Sequence, residues 1–230
     1  MGEALGLHTF GNDDALMPMI DVANVACGFH SGDPDAMDRT VALAKQHGVR
    51  VGAHPGLPDL VGFGRREMRL TQDEVESIIR YQVGALSGFL NKYEVPLNHI
   101  KPHGSLYGML ARDENLMLGA VKVAKSYGVP VYGIAGSAHE RVAEREGVEF
   151  MGELYVDLNY NARGELIILR RPERTDPDAA EARVRRAVTD GTVAAIDGTV
   201  LTIPFGSICV HSDTPNSPEV AQAIRRGLSA

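Results

Sequence analysis

The sequence predicts an α/β fold built around a parallel β-sheet. Short apolar stretches alternate with amphipathic stretches of helical period, and the alternation holds through four successive units of the 230-residue chain. A helix between consecutive strands returns the chain through a right-handed crossover, so that neighbouring strands run parallel. No low-complexity linker, charge block or repeat divides the sequence, which favours a single domain over residues 1–230. A closed barrel and a doubly wound sheet both remain open.

Two helices have clear terminal signals. Asp33 followed by Pro34 predicts an N-cap and a first helical turn, and Gly48 predicts the end of that helix. Thr71 and Glu74 have the spacing of a capping box, and apolar residues then keep helical spacing for about five turns. We expect parallel strands at residues 20–26, 49–53, 97–101, 129–134 and 208–211.

The second half of the chain alternates less regularly. We expect, in order, one helix that ends at Tyr127, a capping box at Ser137 and Glu140, a hairpin insertion within residues 149–170, a helix from Asp176-Pro177 to Gly191, a strand pair within residues 199–204, and a last helix from Ser217.

Composition excludes several classes of function. The net charge is −7 with both signs interspersed, so no basic face is available for nucleic acid. No run of about 18 apolar residues and no charged-then-apolar leader is present, which argues against a membrane span or a secretory signal and favours the cytoplasm. Cys27 and Cys209 lie in apolar stretches, where a buried, reduced thiol is the usual state. A homo-oligomer is left open.

Polar side chains follow the ends of several predicted strands. The carboxyl ends of parallel strands lie on one side of a sheet, so residues just beyond them converge although they are distant in sequence. The sequence therefore predicts a site at this rim, formed by His30, Asp33, His54, Asp59, Lys101, His103, Asp157, His211 and Asp213.

Structural roles compete with this prediction. Asp33 has the position of a simple N-cap, and a single histidine near a turn is more often structural than functional. Cys27 lies three residues before His30 but is better explained as a buried strand residue than as a nucleophile. Lys101 is harder to explain structurally, because a lysine at the end of a buried strand needs an anion or an altered pKa.

Motifs for cofactors give little guidance. The sequence has no phosphate-binding loop of the G-x-x-x-x-G-K-[ST] type, so ATP would not be held by such a loop in this chain. Arg65 lies in a glycine-containing loop and could bind a carboxylate or a phosphate. Histidine and aspartate suit zinc as ligands, but no tight H-x-x-x-H or C-x-x-C spacing is present, so a metal site is left undecided.

Several motifs resemble the 5-oxoprolinase A-subunit family, also called the LamB/YcsF or lactam-utilisation family. The matching segments follow one another in the family's order over nearly the whole chain: GE at 2–3, NVACGFHSGD at 24–33, GAHPGLPD at 52–59, FGR at 63–65, KPHGSLY at 101–107 and ICVHSDTPNS at 208–217.

The resemblance implies a seven-stranded β/α barrel-like fold of the glycoside hydrolase and deacetylase type. It also implies ATP-dependent opening of 5-oxoproline to L-glutamate, carried out together with two partner subunits, B and C. The family's opening segment is rich in aspartate and this chain begins within it, so we expect the first strand to be missing. The family's arginine in an ADRxY motif is Leu158 here, whereas Asp157 and Tyr160 match.

Roles follow as hypotheses from the chemistry of lactam opening. Asp59 or His103 would act as the base on water, with Lys101 and Arg65 stabilising phosphate or oxyanion charge. The remaining candidates would bind the substrate: His30, Asp33, His54, Asp157, Tyr160, His211 and Asp213. Two alternatives are a metal-dependent amidase or deacetylase that needs no ATP, and a non-catalytic binding subunit.

Overall fold

The computed structural model describes residues 1–168 and 173–229. The chain divides into two units, Met1–Met151 and Gly152–Ala230, and each is described by itself. The expectation of a single domain over residues 1–230 stays a prediction.

Four parallel strands, hydrogen-bonded in sequence order, form the sheet of the first unit. The strands of this unit are β1 (Ala4–Leu5), β2 (His8–Thr9), β3 (Val22–Ala26), β4 (Arg50–His54), β5 (Leu97–Ile100) and β6 (Val131–Gly133), of which β1 and β2 pair as a separate antiparallel hairpin. Its helices are α1 (Asp13–Leu16), continued by a 3₁₀ turn at Met17–Met19, α2 (Pro34–His47), α3 (Gln72–Lys92), α4 (Gly104–Arg112), α5 (Glu114–Tyr127) and α6 (Ala138–Arg145).

The helix starts predicted for α2 and α3 are confirmed. The Asp33 carboxylate accepts a hydrogen bond from the backbone N–H of Ala36, and Gly48 ends α2 in the left-handed conformation at φ 67°. In α3, the Thr71 hydroxyl accepts from the N–H of Glu74 while the Glu74 carboxylate accepts from the N–H of Thr71, which completes the capping box. These signals act within one helical turn, which explains why the sequence alone reveals them.

The prediction of one helix ending at Tyr127 is wrong in one respect, because the helix is interrupted at Asp113. This residue has extended backbone angles, and its carboxylate accepts hydrogen bonds from the N–H groups of Asn115 and Leu116. Asp113 therefore ends α4 and caps α5. The predicted capping box at Ser137 forms differently: Ser137 caps His139, whereas the Glu140 carboxylate accepts from the N–H of Gly136.

The N-terminal residues lie along the edge of β3. The terminal amino group of Met1 donates to the carbonyl of Asn24, and the N–H of Ala26 donates to the carbonyl of Met1, which is the pattern of a parallel pair. This pairing carries Glu3 to the carboxyl end of β3, where its side chain is only 7% exposed.

The core of the first unit lies between the sheet and its helices. Val25, Val51 and Ile100 on successive strands are fully buried, as are Ile79 and Val83 of α3. Branched aliphatic side chains suit a parallel strand that is covered by helices. At the carboxyl ends of β3, β4 and β5 this apolar pattern gives way to histidine and lysine, which places polar groups beside a rigid sheet.

The second unit pairs two parallel strands and adds two antiparallel hairpins. Its strands are β7 (Phe150–Tyr155), β8 (Asn159–Tyr160), β9 (Leu166–Ile167), β10 (Thr192–Ala194), β11 (Val200–Thr202) and β12 (Ser207–Cys209), and its helices are α7 (Pro177–Asp190) and α8 (Ser217–Leu228). β12 runs parallel to β7, with Ser207 opposite Glu153.

The sequence predictions for this unit are confirmed at α7, at α8 and at the β8–β9 hairpin, while residues 169–170 of the predicted insertion lie outside the described part of the chain. The predicted insertion begins too early, because Phe150–Tyr155 is a strand that runs parallel to β12 rather than an arm of a hairpin. The strand pair expected within residues 199–204 is wrong, because Val200–Thr202 pairs with Thr192–Ala194 across the turn at residues 195–199.

The predicted α/β class is confirmed. The parallel strands are β3 to β6 in the first unit and β7 and β12 in the second, six in all among the described residues. Among the helices of residues 1–168 and 173–229, none combines the length and the apolar character needed to cross a bilayer.

Candidate functional site

Three of the predicted histidines meet at the carboxyl ends of β3, β4 and β5. His54 is the last residue of β4, and His103 follows β5 and precedes α4, while His30 lies in the loop between β3 and α2. The parallel register sets Ala26 opposite His54, so that the ends of β3 and β4 are level. We call His30, His54 and His103 the histidine cluster.

The imidazole rings of the histidine cluster are in contact. The rings of His30 and His103 stack with their centroids 3.7 Å apart and an interplanar angle of 6°. His54 meets both rings edge to face, at centroid distances of 5.7 Å from His30 and 4.9 Å from His103. Phe63 packs edge to face against His30 and His103, and so covers one side of the cluster with an apolar ring.

Backbone carbonyls fix the tautomers of two of these histidines. His54 Nδ1 lies 2.7 Å from the carbonyl oxygen of Lys101, and His103 Nε2 lies 2.9 Å from that of Phe63. A carbonyl oxygen only accepts hydrogen bonds, so each of these ring nitrogens carries the proton of a neutral imidazole. The other two nitrogens, His54 Nε2 and His103 Nδ1, face each other at 3.0 Å with a lone pair on each.

Glu3 adds a carboxylate to the histidine cluster. Its Oε1 atom lies 3.6 Å from His30 Nε2 and 4.0 Å from His103 Nδ1. Glu3 is not among the residues that the sequence predicted for the site, although the GE pair at positions 2–3 is one of the matching motifs. The missed signal was an acidic residue inside a matching segment, and only the pairing of Met1 with β3 shows where this residue lies.

Burial keeps the imidazoles neutral, and neighbouring positive charge keeps the carboxylate ionised. Desolvation lowers the pKa of His30, and with the neighbouring positive charges it lowers the pKa of His54 and of His103 well below the usual histidine range. For Glu3, desolvation alone would raise the pKa, but the terminal amino group and the histidines lower it well below its usual value. At neutral pH the site thus holds one negative charge and three neutral rings.

His30 stands out within the cluster because neither of its ring nitrogens has a hydrogen-bond partner among the described residues. Its exposure is only 1%, so water does not compensate for the missing bonds. The loop that follows β4 and the 59–65 loop pack tightly around this ring: a Cβ atom at Gly56 would lie 2.6 Å from His30 Nδ1, and one at Gly64 would lie 2.9 Å from His30 Cβ. Gly64 also has a φ of 63°, which L side chains rarely adopt.

One group of atoms could hold a metal ion. Glu3, His54 and His103 each offer a ligand atom, and these atoms all lie within 4.8 Å of one another. The sequence left a metal undecided because it contains no ligands at the close spacing of a metal motif. Here the three ligands come from three separate segments, and only the order of the strands brings them together.

Lys101 is buried beside the histidine cluster, with an exposure of 3%. The backbone N–H of Lys101 donates to the carbonyl of Ala53, and its backbone carbonyl accepts from Nδ1 of His54. The backbone of Lys101 therefore links β5 to β4. The positive charge of its side chain contributes to the lowered pKa values of His54 and His99. A buried ammonium this close to neutral imidazoles can stabilise an anion that enters the site.

Asp59, the predicted alternative base, already has partners. Its carboxylate accepts hydrogen bonds from the N–H of Gly62 and, in a close ion pair, from the guanidinium of Arg66. The Arg66 hydrogen bonds lower the pKa of Asp59. Arg65 lies on the same loop with its guanidinium carbon 5.0 Å from the centre of the Phe63 ring, at the edge of the histidine cluster.

Asp33 is used in capping. One carboxylate oxygen accepts from the N–H of Ala36 and the other from the N–H of Gly6, and these bonds lower its pKa. Cys27 also has a structural environment, since its thiol donates to the carbonyl of Val25 and burial raises its pKa to about 12. A thiol with this pKa is not a nucleophile at neutral pH.

The second unit holds a separate pair, Asp157 and His211. The Asp157 carboxylate accepts hydrogen bonds from the backbone N–H of His211 at 2.7 Å and from its Nδ1 at 3.0 Å. The carboxylate is fully buried while the His211 ring is 28% exposed. Desolvation alone would raise the pKa of Asp157, but the charge and hydrogen bonds of His211 lower it.

The other candidates of the second unit lie on β8 and on the loops that follow β7 and β12. Tyr155 stacks on His211 at a centroid distance of 6.0 Å. The Tyr160 hydroxyl accepts from the N–H of Tyr155 and is buried, which raises its pKa. Asp213 is half-buried in the loop after β12. At Leu158, where the family motif has arginine, the backbone carbonyl accepts a hydrogen bond from Arg183 of α7 at 2.5 Å.

Comparisons with known proteins agree on one family. The model of the LamB/YcsF family matches residues 1–230. The lactam utilization protein lamB of Emericella nidulans is 47% identical over 98% of this chain and 90% of its own length. A protein of Thermus thermophilus named as the A-subunit of 5-oxoprolinase is 42% identical, covering 99% of this chain and 92% of its own. The crystal structure of a lactam utilization protein from Thermus thermophilus superposes with a TM-score of 0.91 and 41% identity, over 100% of this chain and 93% of that one.

Proposed function

Because the chain belongs to the LamB/YcsF family, we propose that it is the subunit of an amide hydrolase that opens 5-oxoproline, or a related lactam, to L-glutamate or the corresponding amino acid. The names of the relatives from Emericella nidulans and Thermus thermophilus support the substrate class. The proposal includes dependence on ATP, assembly with subunits B and C, and a location in the cytosol.

The observation that carries the proposal is the geometry of the histidine cluster. Opening a lactam requires water to add to the carbonyl carbon, the C–N bond to break, and a proton to reach the leaving nitrogen. The lone pairs of His54 Nε2 and His103 Nδ1, beside the carboxylate of Glu3, give the proton of that water an acceptor. The imidazoles are neutral at pH 7 and are therefore in the protonation state that a base requires.

His103 is the better candidate for the base than Asp59. The Asp59 carboxylate oxygens already accept hydrogen bonds from the N–H of Gly62 and from the guanidinium of Arg66. His103 Nδ1 has a lone pair that no N–H group satisfies, since the nitrogen opposite it carries a lone pair too. A base must have such a free acceptor within reach of the water.

Lys101 and Arg65 are proposed to stabilise negative charge. A five-membered lactam is a poor electrophile, and transfer of phosphate from ATP to the lactam oxygen would activate it. Ring opening consumes one water and net ATP hydrolysis a second, so the products are the amino acid, ADP and phosphate. Because the sequence has no phosphate-binding loop of the Walker type, we assign the phosphorylation to a partner subunit.

The substrate-binding residues stay a prediction. Asp157 and His211 form a pair with a partly exposed imidazole that could contact a substrate, whereas the Tyr160 hydroxyl is buried and already bonded. The side chain of Leu158 cannot bind a carboxylate. If the family's arginine holds the carboxylate of 5-oxoproline, this chain accepts a different lactam.

A metal-dependent amidase that works without ATP is the second candidate function. The arrangement of Glu3, His54 and His103 favours it, since two imidazoles and a carboxylate are a common ligand set of hydrolytic zinc enzymes. A non-catalytic binding subunit is the third candidate, and it predicts that substitutions in the histidine cluster leave the activity of the complex intact.

The test is lactam-dependent release of phosphate and of amino acid by the reconstituted complex. The chain is mixed with subunits B and C and assayed on 5-oxoproline and related lactams, with and without ATP. We expect Lys101→Met and His103→Gln to lower turnover at least about a hundredfold, the usual scale for loss of a general base or of an oxyanion partner. The control is His47→Gln, an exposed histidine at the end of α2.

Three outcomes separate the candidates. Amino acid formed only with ATP and both partners supports the proposal. Lactam opening by the isolated chain without ATP supports the metal-dependent amidase instead. Turnover of the Lys101→Met and His103→Gln complexes within a few fold of the wild type contradicts a catalytic role for the histidine cluster and favours the binding subunit.

A further inference from the structure

We propose that Glu3, His54 and His103 bind one divalent transition-metal ion, for which Zn²⁺ is the natural probe. The site is a property of the isolated chain and is tested by binding alone. An ion on His103 Nδ1 would occupy the lone pair that the proposed function gives to the base, so stoichiometric binding favours the metal-dependent amidase over His103 as a base. The proposed site rests on three features of the histidine cluster: two ring nitrogens that face each other as acceptors, a carboxylate within reach of both, and a buried imidazole whose ring nitrogens make no hydrogen bond of normal length.

The first feature is the orientation of the lone pairs. The carbonyls of Lys101 and Phe63 hold the protons on the outer nitrogens of His54 and His103. The inner nitrogens therefore face each other at 3.0 Å as two acceptors, with the Glu3 carboxylate 4.0 Å from His103 Nδ1 as a third. The two ring nitrogens repel each other at this distance unless a positive charge lies between them, and the Glu3 carboxylate is placed to share that charge.

The second feature is the spacing of these atoms. A tetrahedral zinc ion with bonds of about 2.0–2.1 Å holds its ligand atoms about 3.3 Å apart. The two nitrogens lie 3.0 Å apart and the carboxylate oxygen lies 4.0 Å from His103 Nδ1, and all three ligand atoms lie within 4.8 Å of one another. Small rotations of the Glu3 side chain and of the two rings therefore suffice to close the site around an ion.

The outer hydrogen bonds are those of a metal-binding histidine. Such a histidine usually donates its second N–H to a carbonyl or carboxylate, which fixes the ring and strengthens the ligand nitrogen. Here His54 donates to Lys101 and His103 donates to Phe63, each through the nitrogen that does not face Glu3. The site is therefore oriented for binding before an ion enters.

The third feature is His30, an independent observation that indicates an absent ligand. Its two ring nitrogens have no hydrogen-bond partner among the described residues, although the residue is 1% exposed. Its Nε2 atom points at the Glu3 carboxylate from 3.6 Å. An ion held by Glu3 would lie close to this nitrogen. His30 could then bind the ion as a fourth ligand, or accept a hydrogen bond from a water molecule on the ion.

A shared proton is the competing explanation. A single proton between His54 Nε2 and His103 Nδ1 would also remove the repulsion, and would turn the contact into an ordinary charged hydrogen bond. The two explanations differ in one measurable property, since a protonated pair does not bind Zn²⁺ tightly while the metal site does.

The experiment is a calorimetric titration of chelator-treated, dialysed protein with Zn²⁺ in a non-coordinating buffer at pH 7.5. We expect one ion per chain. The variants are chosen to keep the outer hydrogen bonds: asparagine at 54 retains an N–H near the Nδ1 position, and glutamine at 103 retains one near Nε2. His54→Asn, His103→Gln and Glu3→Gln should each weaken binding at least about a hundredfold, because loss of an outer partner alone costs about 10- to 100-fold.

His47→Gln is the matched control, since it removes an exposed histidine remote from the cluster in sequence and should leave the dissociation constant unchanged. Circular dichroism of each variant checks folding. Should a variant fail to fold, X-ray absorption of the wild-type zinc protein gives the answer directly: two imidazole nitrogens and at least one carboxylate oxygen support the site. Absence of stoichiometric binding, a zinc shell without two imidazoles, or equal affinity in the three folded variants overturns it.

Discussion

The histidine cluster of the first unit and the Asp157–His211 pair of the second combine imidazole with carboxylate in opposite ways. In the pair, one buried carboxylate receives two hydrogen bonds from one partly exposed histidine. In the cluster, the Glu3 carboxylate lies 3.6 Å from a ring nitrogen of His30 and 4.0 Å from one of His103. Both distances are longer than a normal hydrogen bond.

The difference lies in where the protons are. His211 turns its Nδ1 to the carboxylate and completes the pair by itself. His54 and His103 turn their N–H groups outward to backbone carbonyls, so that lone pairs meet inside. The pair is therefore satisfied as it stands, whereas the facing lone pairs of the cluster are the basis on which we propose a bound cation. The backbone acceptors around a histidine thus decide whether it serves as a donor or as a ligand.

Among single substitutions at pH 7, the largest expected effect on stability comes from breaking the pair. His211→Ala removes the imidazole from the buried Asp157 carboxylate and leaves it only the backbone N–H of residue 211, and we expect a loss of about 2–3 kcal/mol in the free energy of unfolding. Urea denaturation at pH 7 measures it. The double variant Asp157→Asn with His211→Ala should recover part of that loss, because it removes the unpaired charge. A double variant less stable than His211→Ala would show that the charge is not the cause.

The next effect concerns pH. Burial lowers the pKa of His139 to about 4 and that of His99 to about 3, so both stay neutral in the folded chain while the unfolded chain takes up protons below about 6.5. Stability is therefore complete above pH 6.5 and decreases as the pH falls towards 4, by about 1.4 kcal/mol per pH unit for each such histidine. The lowered pKa of Asp157 acts in a lower window, since its contribution is lost only below about pH 4.

Unfolding in urea at pH 7, 6 and 5, with metal removed, measures this slope. His139→Gln removes one of the titrating groups and should reduce the slope by about 1.4 kcal/mol per pH unit. The same slope in the wild type and in this variant would show that His139 is already charged in the folded chain.

The smallest expected effect is at Asp33, whose carboxylate caps a helix, whereas the carboxylate of Asp157 is buried against a histidine. Asp33→Ala removes an acceptor for Ala36 at the start of α2 and should cost about 1 kcal/mol in unfolding free energy. Asp33→Asn should cost only a few tenths, because asparagine caps a helix about as well. Thermal unfolding of both variants distinguishes them, and equal losses would mean that the negative charge matters more than the cap.

Local signals account for the parts of the fold that could be predicted from the sequence. Asp33-Pro34, Thr71 with Glu74, and Asp176-Pro177 act on backbone groups within one turn, and the helices begin where these signals place them. The alternation of strands with helices gives a parallel sheet, and the same alternation predicts that polar residues gather at strand ends. The interruption at Asp113 was not predicted, because apolar residues keep helical spacing on both sides of it.

Which of those residues meet depends on the tertiary structure alone. His30, His54 and His103 lie 24 and 49 positions apart in sequence, and they come together because β3, β4 and β5 are neighbours in one parallel sheet. The pairing of Met1 with β3 brings Glu3 to the same place. Arg66, on a nearby turn, forms an ion pair with Asp59 and so engages its carboxylate. The protonated nitrogens are fixed by the carbonyls of Lys101 and Phe63, whose positions depend on loop paths. The elements follow from the sequence because their causes are local, whereas the chemistry of the site depends on contacts between distant segments.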